Sequence, residues 1–123
     1  MKICITSNGP NLDSFVDPRF GRCLYFLIFD NGEVQAIENT GVNAMRGAGI
    51  QAAQTVVDAG ASVVITGNMG PNSQGALSAS GVKIFQARPG IKVKDALSLY
   101  EKGELQEMGQ AGGLRRGRGR GRF

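Results

Sequence analysis

The chain has 123 residues, 41% of them apolar, with two cysteines, no histidine and a formal net charge of +4. That length supports one packed core and leaves no room for a separate catalytic domain. The longest apolar runs fall far short of a membrane span and the N-terminus shows no signal pattern, so a cytoplasmic protein without membrane contact is expected.

In chain order, Lys2–Ser7 alternates in polarity and predicts a first strand. A polar loop, Asn8–Cys23, follows and carries Asp17-Pro18-Arg19-Phe20-Gly21-Arg22-Cys23. Tyr25–Asp30 and Val34–Ile37 read as a hairpin closed by Asn31-Gly32, a pair that accepts the positive dihedrals of a two-residue turn. Gly49–Ala59 places Ile50, Ala53, Val56 and Val57 at helical spacing and stops at Gly60. Ser62–Thr66 is a short buried strand, Asn72–Ser80 a second helix and Val82–Gln86 a fifth strand. Val93–Lys102, stopped by Gly103, carries Val93, Ala96, Leu97 and Tyr100 on one stripe as a third helix.

The order βββαβαβα predicts an α/β fold: a mixed five-stranded sheet flanked by three helices, with the hairpin antiparallel and the helix-linked strands parallel through right-handed crossovers. Ligands in such sheets sit at the carboxyl ends of the parallel strands. Loops 8–23, 67–72 and 87–91 should converge there, with segment 39–48 beside them.

The residues in these loops suit an anion. Arg19 and Arg22 flank Phe20, and paired guanidiniums beside a ring fit a rigid, multiply charged anion; the competing reading is surface pairing with Asp13 and Asp17. Gly47-Ala48-Gly49 and Gly70-Pro71-Asn72 each open a helix, exposing unpaired N–H groups and a positive dipole end, or else serve only as caps and turns. Arg46 and Arg88 would add charge, and Phe20 and Met69 soft contact for sulfide. Neither glycine pattern is a Walker loop, and GxGxxG is absent after the first strand.

Metal ligation is sparsely supplied. Without histidine or a CxxC pair, one subunit offers neither a structural zinc site nor a four-cysteine cluster site. Cys4, inside a strand, reads as a small core hydrophobe, which leaves Cys23 as the direct thiolate ligand on offer. No Ser or Cys has a histidine partner for nucleophilic work.

Asp17–Arg22 with Leu24-Tyr25-Phe26, then Glu38-Asn39, Gly47–Gln54 and Gly67–Asn72, in that order, resembles the nitrogenase iron-molybdenum cofactor biosynthesis family over Met1 to about Glu107. The family includes cofactor carriers of nitrogen fixation and the molybdenum-copper orange protein. The resemblance implies a ribonuclease-H-like fold and the handling of metal-sulfur clusters rather than catalysis. A nuclease on that sheet would need clustered carboxylates, one of them on the first strand, and Lys2–Ser7 has none.

The expected function is therefore that of a non-enzymatic binding or carrier protein for an anionic metal-sulfur cluster containing molybdenum with iron or copper. The expected cofactor-binding residues are Arg19, Phe20, Gly21, Arg22, Cys23, Gly47, Ala48, Gly49, Gly70, Pro71 and Asn72, with Cys23 as metal ligand and no catalytic residue. Family carriers that use histidine are imperfect guides to a chain that has none. The orange-protein branch, with its cluster held by charge, hydrogen bonds and packing, is the nearer one. Expected partners are the cluster itself and cluster-assembly, redox or cell-division proteins.

Two segments are expected: a cluster-binding domain, 1–108, and a disordered cationic Gly/Arg-rich tail, 109–123. Arg115, Arg116, Arg118, Arg120 and Arg122 are five of the fourteen basic residues, so the remaining body is near neutral. Such a tail cannot bury enough surface to fold alone. It would hold RNA, a polyanion or an acidic partner, or act only as a solubilising extension. The alternative function is accordingly a nucleic-acid-binding module acting through residues 115–122.

Overall fold

The computed structural model describes residues 1–41, 47–88 and 90–108. Arg46 and the Gly/Arg tail, with the nucleic-acid role expected of it, lie outside the described residues.

Three strands come first: β1 (Ile3–Ser7), β2 (Tyr25–Asp30) and β3 (Glu33–Glu38). Helix α1 (Ala48–Asp58) leads to β4 (Val63–Thr66), α2 (Pro71–Ala79) to β5 (Lys83–Gln86), and α3 (Val93–Glu101) to β6 (Gln106–Met108). The sheet order is β3-β2-β1-β4-β5-β6. β1 pairs antiparallel with β2 and parallel with β4, β4 pairs parallel with β5, and the last strand returns antiparallel on β5. The Asn31-Gly32 turn has φ of 52° and 84°, the two positive dihedrals its sequence predicts.

The sheet has six strands, not the expected five. β6 was illegible because it is a three-residue polar edge strand: Gln106 and Glu107 are exposed, so no apolar alternation marks it. Its pairing comes from position, since the turn at Gly103 (φ 74°) delivers the chain after α3 to the open edge of β5.

Each face of the sheet has its own core. β1 is buried along its whole length, and its alternation sends Cys4 to one side and Ile3 and Ile5 to the other. Cys4, Phe26, Ile28 and Val64 pack with Ala52, Val56 and Leu77 of α1 and α2, while Ile3, Ile5, Leu27 and Ile65 pack with Val93 and Ala96 of α3. The small residues Ala52 and Ala53 let α1 lie close to the sheet and beside α2. Because the parallel strands run the same way, α1 and α2 both begin at the carboxyl end of the sheet. Among the described residues no helix is long and apolar enough to cross a membrane.

Candidate functional site

The loop from Asn8 to Leu24 is tied over the end of β1 by its own backbone. The Asp17 N–H donates to the Thr6 carbonyl (3.0 Å), and the Val16 N–H to the Ile91 carbonyl (2.9 Å). The buried Thr6 hydroxyl lies 2.8 Å from both the Asp17 carbonyl and the Thr66 hydroxyl, joining the loop to the ends of β1 and β4. Asp17 is only 3% exposed. Its carboxylate accepts the Arg19 N–H at 3.0 Å and the Arg19 Nε at 3.3 Å. Asp17 thereby orients the guanidinium and pushes its pKa further up. Asp13 pairs with Lys94 instead (3.1 Å), fastening the first half of the loop to α3.

Two close approaches bring this loop to the helices. A Cβ on Gly67 would lie 2.6 Å from Pro18 Cα, and one on Gly21 would lie 3.0 Å from the Gly49 nitrogen. The Phe20 N–H donates to the Asn68 carbonyl (3.2 Å). Asn39 holds the other end of the loop: its Nδ2 donates to the Gly21 and Cys23 carbonyls at 3.2 and 2.8 Å, and its Oδ1 accepts the Gly41 N–H.

These contacts enclose a cavity of about 480 Å³. Arg19, Phe20, Gly21 and Arg22 form one wall; Gly47, Ala48, Gly49 and Ile50 form the second; Asn68 through Ser73 form the third. Neither α1 nor α2 has a side-chain N-cap hydrogen bond. The first intrahelical donors are Gln51, to the Gly47 carbonyl, and Gln74, to the Gly70 carbonyl. The N–H groups of the preceding helical residues are thus unpaired by the helix at the cavity, and Pro71 occupies a position where a missing N–H costs nothing. Two positive dipole ends and two arginines face one space.

Of the eleven expected cofactor-binding residues, all but Cys23 line this cavity. Phe20 does so mainly as an anchor, 2% exposed with its ring 6.0 Å from that of Phe26. Arg88 is elsewhere, beside α3 and β6. Cys23 is the exception. It is fully buried, and its thiol donates to the Phe20 carbonyl at 3.3 Å. Burial, assisted by the negative charge of Asp17, pushes the Cys23 pKa up to about 12, so the free residue is a thiol at neutral pH. Among the described residues no group of three or more His, Cys, Asp or Glu is placed to hold a metal ion. Sequence reasoning missed Ile50 and Ser73 as lining residues, while Asn68 lies in the loop 67–72 expected at the site; the position of Ser73 in the first turn of a helix opened by Gly70-Pro71 was the available signal.

The buried thiols predict a pH dependence. Folded Cys23 holds its proton to about pH 12 against an ordinary value of 9.0, and burial raises Cys4 as well. The unfolded chain releases these protons first, so stability present below pH 9 falls as pH rises toward 12. In urea unfolding the midpoint should drop over that range, and a Cys4→Ala/Cys23→Ala variant should drop less steeply than wild type.

A six-stranded sheet flanked by helices, whose strand ends carry a cavity rich in N–H donors and guanidinium, defines a small α/β protein with a positively polarised cleft. The chain belongs to the dinitrogenase iron-molybdenum cofactor family, whose sequence pattern matches residues 1–103. It is 36% identical to the orange protein of Desulfovibrio gigas in its apo form, with a TM-score of 0.84 over 87% of this chain and 92% of that one. A NifB-like protein of Thermotoga is 35% identical, with a TM-score of 0.78 over 89% and 94% of the two chains. An uncharacterised protein of Methanocaldococcus jannaschii is 30% identical across 87% of this chain and 91% of its own.

Proposed function

We propose that the protein is a non-enzymatic cytoplasmic carrier that accepts and passes on an anionic metal-sulfur cluster containing molybdenum with copper or iron. The observation that carries this reading is the convergence of two uncapped helix N-termini with Arg19 and Arg22 on one cavity. Family membership and likeness to the orange protein support the choice of cargo. Strand order and the antiparallel β2 support reading the sheet as ribonuclease-H-like.

The donor set fits a cluster held at its outer atoms. Backbone N–H groups and guanidiniums donate hydrogen bonds and positive charge to terminal ligands and form no bond to a metal, so the cargo is released intact. Met69 and Ile50 give the cavity apolar, polarizable surface suited to sulfide. Cys23, buried against the Phe20 carbonyl, does not line the cavity.

The test is a titration of the purified protein with tetrathiomolybdate, with and without copper, followed by gel filtration, visible absorbance and metal analysis. Colour retained at a fixed metal-to-protein ratio is the expected result. Complete loss of molybdenum on the column under both conditions would overturn the reading.

A further inference from the structure

The buried polar residues are Thr6, Ser7, Asp17, Asn39, Thr66 and Ser73. The first five each have a side-chain hydrogen bond: the two threonines to one another, Ser7 to the Gly9 carbonyl, Asp17 from the Arg19 N–H, and Asn39 to the Cys23 carbonyl. The Ser73 hydroxyl has no partner among the described residues, although the residue is only 4% exposed. A buried hydroxyl without a partner is unfavourable and uncommon, so it calls for an explanation.

Its location supplies one. Ser73 lies in the first turn of α2 and lines the cavity beside the unpaired helix N–H groups. Across the gap stands α1, and a Cβ on Gly49 would collide with the Ser73 hydroxyl oxygen. The hydroxyl therefore sits between the two helix N-termini. The helix itself does not need it, because alanine has the higher helix propensity and would fill the same position without a polar group to satisfy.

We propose that Ser73 is a specificity-determining residue of the cleft, its O–H donating a hydrogen bond to a terminal ligand of the bound anion, and that Gly49 is glycine to keep the hydroxyl in place. Oxygen accepts hydrogen bonds more strongly than sulfur, so this donor favours an anion that presents an oxo group between the two helices. The preferred cargo is then a mixed oxo-sulfido molybdenum anion rather than a wholly sulfidic one. The inference rests on the carrier reading and adds to it the identity of one ligand atom.

The experiment compares molybdate and tetrathiomolybdate binding to wild type and to Ser73→Ala by isothermal calorimetry, alongside the melting temperature of each free protein. Wild type should bind both probes. Ser73→Ala should weaken molybdate about tenfold, the scale of one hydrogen bond, and tetrathiomolybdate about threefold or less. The free variant should melt no lower than wild type, because no hydrogen bond is lost. Equal weakening of both probes, no weakening, or a fall of several degrees in melting temperature would overturn the assignment. Wild type that binds tetrathiomolybdate but not molybdate would leave the carrier reading standing and remove the oxo-directed role; binding of neither would remove both.

Discussion

Replacing Arg19 and Arg22 together by glutamine is expected to weaken tetrathiomolybdate binding by about a hundredfold or more, since each charge-assisted hydrogen bond to an anion is worth roughly a factor of ten. Both residues line the cleft, and the Arg19 side chain is 66% exposed, so its charge is available to an incoming anion. The Asp17 carboxylate behind it stays hydrogen bonded after substitution, because it also accepts the Arg19 backbone N–H. The melting temperature should accordingly fall little. Wild-type affinity should decline with added salt, and the double variant should show a flatter salt dependence. Arg88→Gln is the control: that cation lies beside α3 and β6, and its loss should leave binding unchanged. Binding retained within threefold in the double variant would show that the helix N-termini hold the anion without the guanidiniums.

The geometry explains why charge comes from loops while donors come from helices. N–H groups at a helix start are fixed by the helix itself and need no side chain to aim them. Guanidiniums are long and flexible, so the protein ties their loop down at Asp17, Asn39 and the Gly67–Pro18 contact. The result is a cavity whose donors are in place before any anion enters, which limits the ordering that binding would require.

Most of this architecture is legible in the sequence, and the reasons lie in particular residues. Ile3–Ser7, the hairpin at Asn31-Gly32 and the helix stops at Gly60 and Gly103 are local signals, and the structure follows them to within a residue or two. Gly47–Gly49 and Gly70–Asn72 mark helix starts, and parallel strands on either side oblige those starts to share one end of the sheet. β6 was hidden because its pairing is imposed by the free edge of β5 and not by its own composition. The burial of Cys23 was hidden as well: a cysteine at a loop end reads as accessible until Asn39, from after β3, is seen to fold across it. The position of Ser73 at a helix start is readable, but its unmet hydrogen bond is not, since an unsatisfied hydroxyl is defined only by what surrounds it. Exposure and unmet hydrogen bonds are long-range properties, and a single sequence encodes them only through the fold.

Gly67→Ala should lower stability by about 2 kcal/mol and impair binding at the same time, whereas Gly75→Ala should raise stability by about 0.5–1 kcal/mol and leave binding intact. The same methyl is added in both cases, so the difference isolates the surroundings. At Gly67 it would lie 2.6 Å from Pro18 Cα and 2.9 Å from Pro18 Cβ, backbone and ring atoms that cannot rotate away. Relief requires the Pro18–Phe20 segment to withdraw from the β4–α2 loop. That movement strains the Phe20–Asn68 hydrogen bond and carries Arg19 away from the start of α2. At Gly75, within α2, nothing lies within 4 Å of the added carbon, and the gain is the helix propensity of alanine over glycine. Urea unfolding of both variants with tetrathiomolybdate titration checks the pair. A stable Gly67→Ala protein with wild-type affinity would show that the contact between the two loops does not position the arginines.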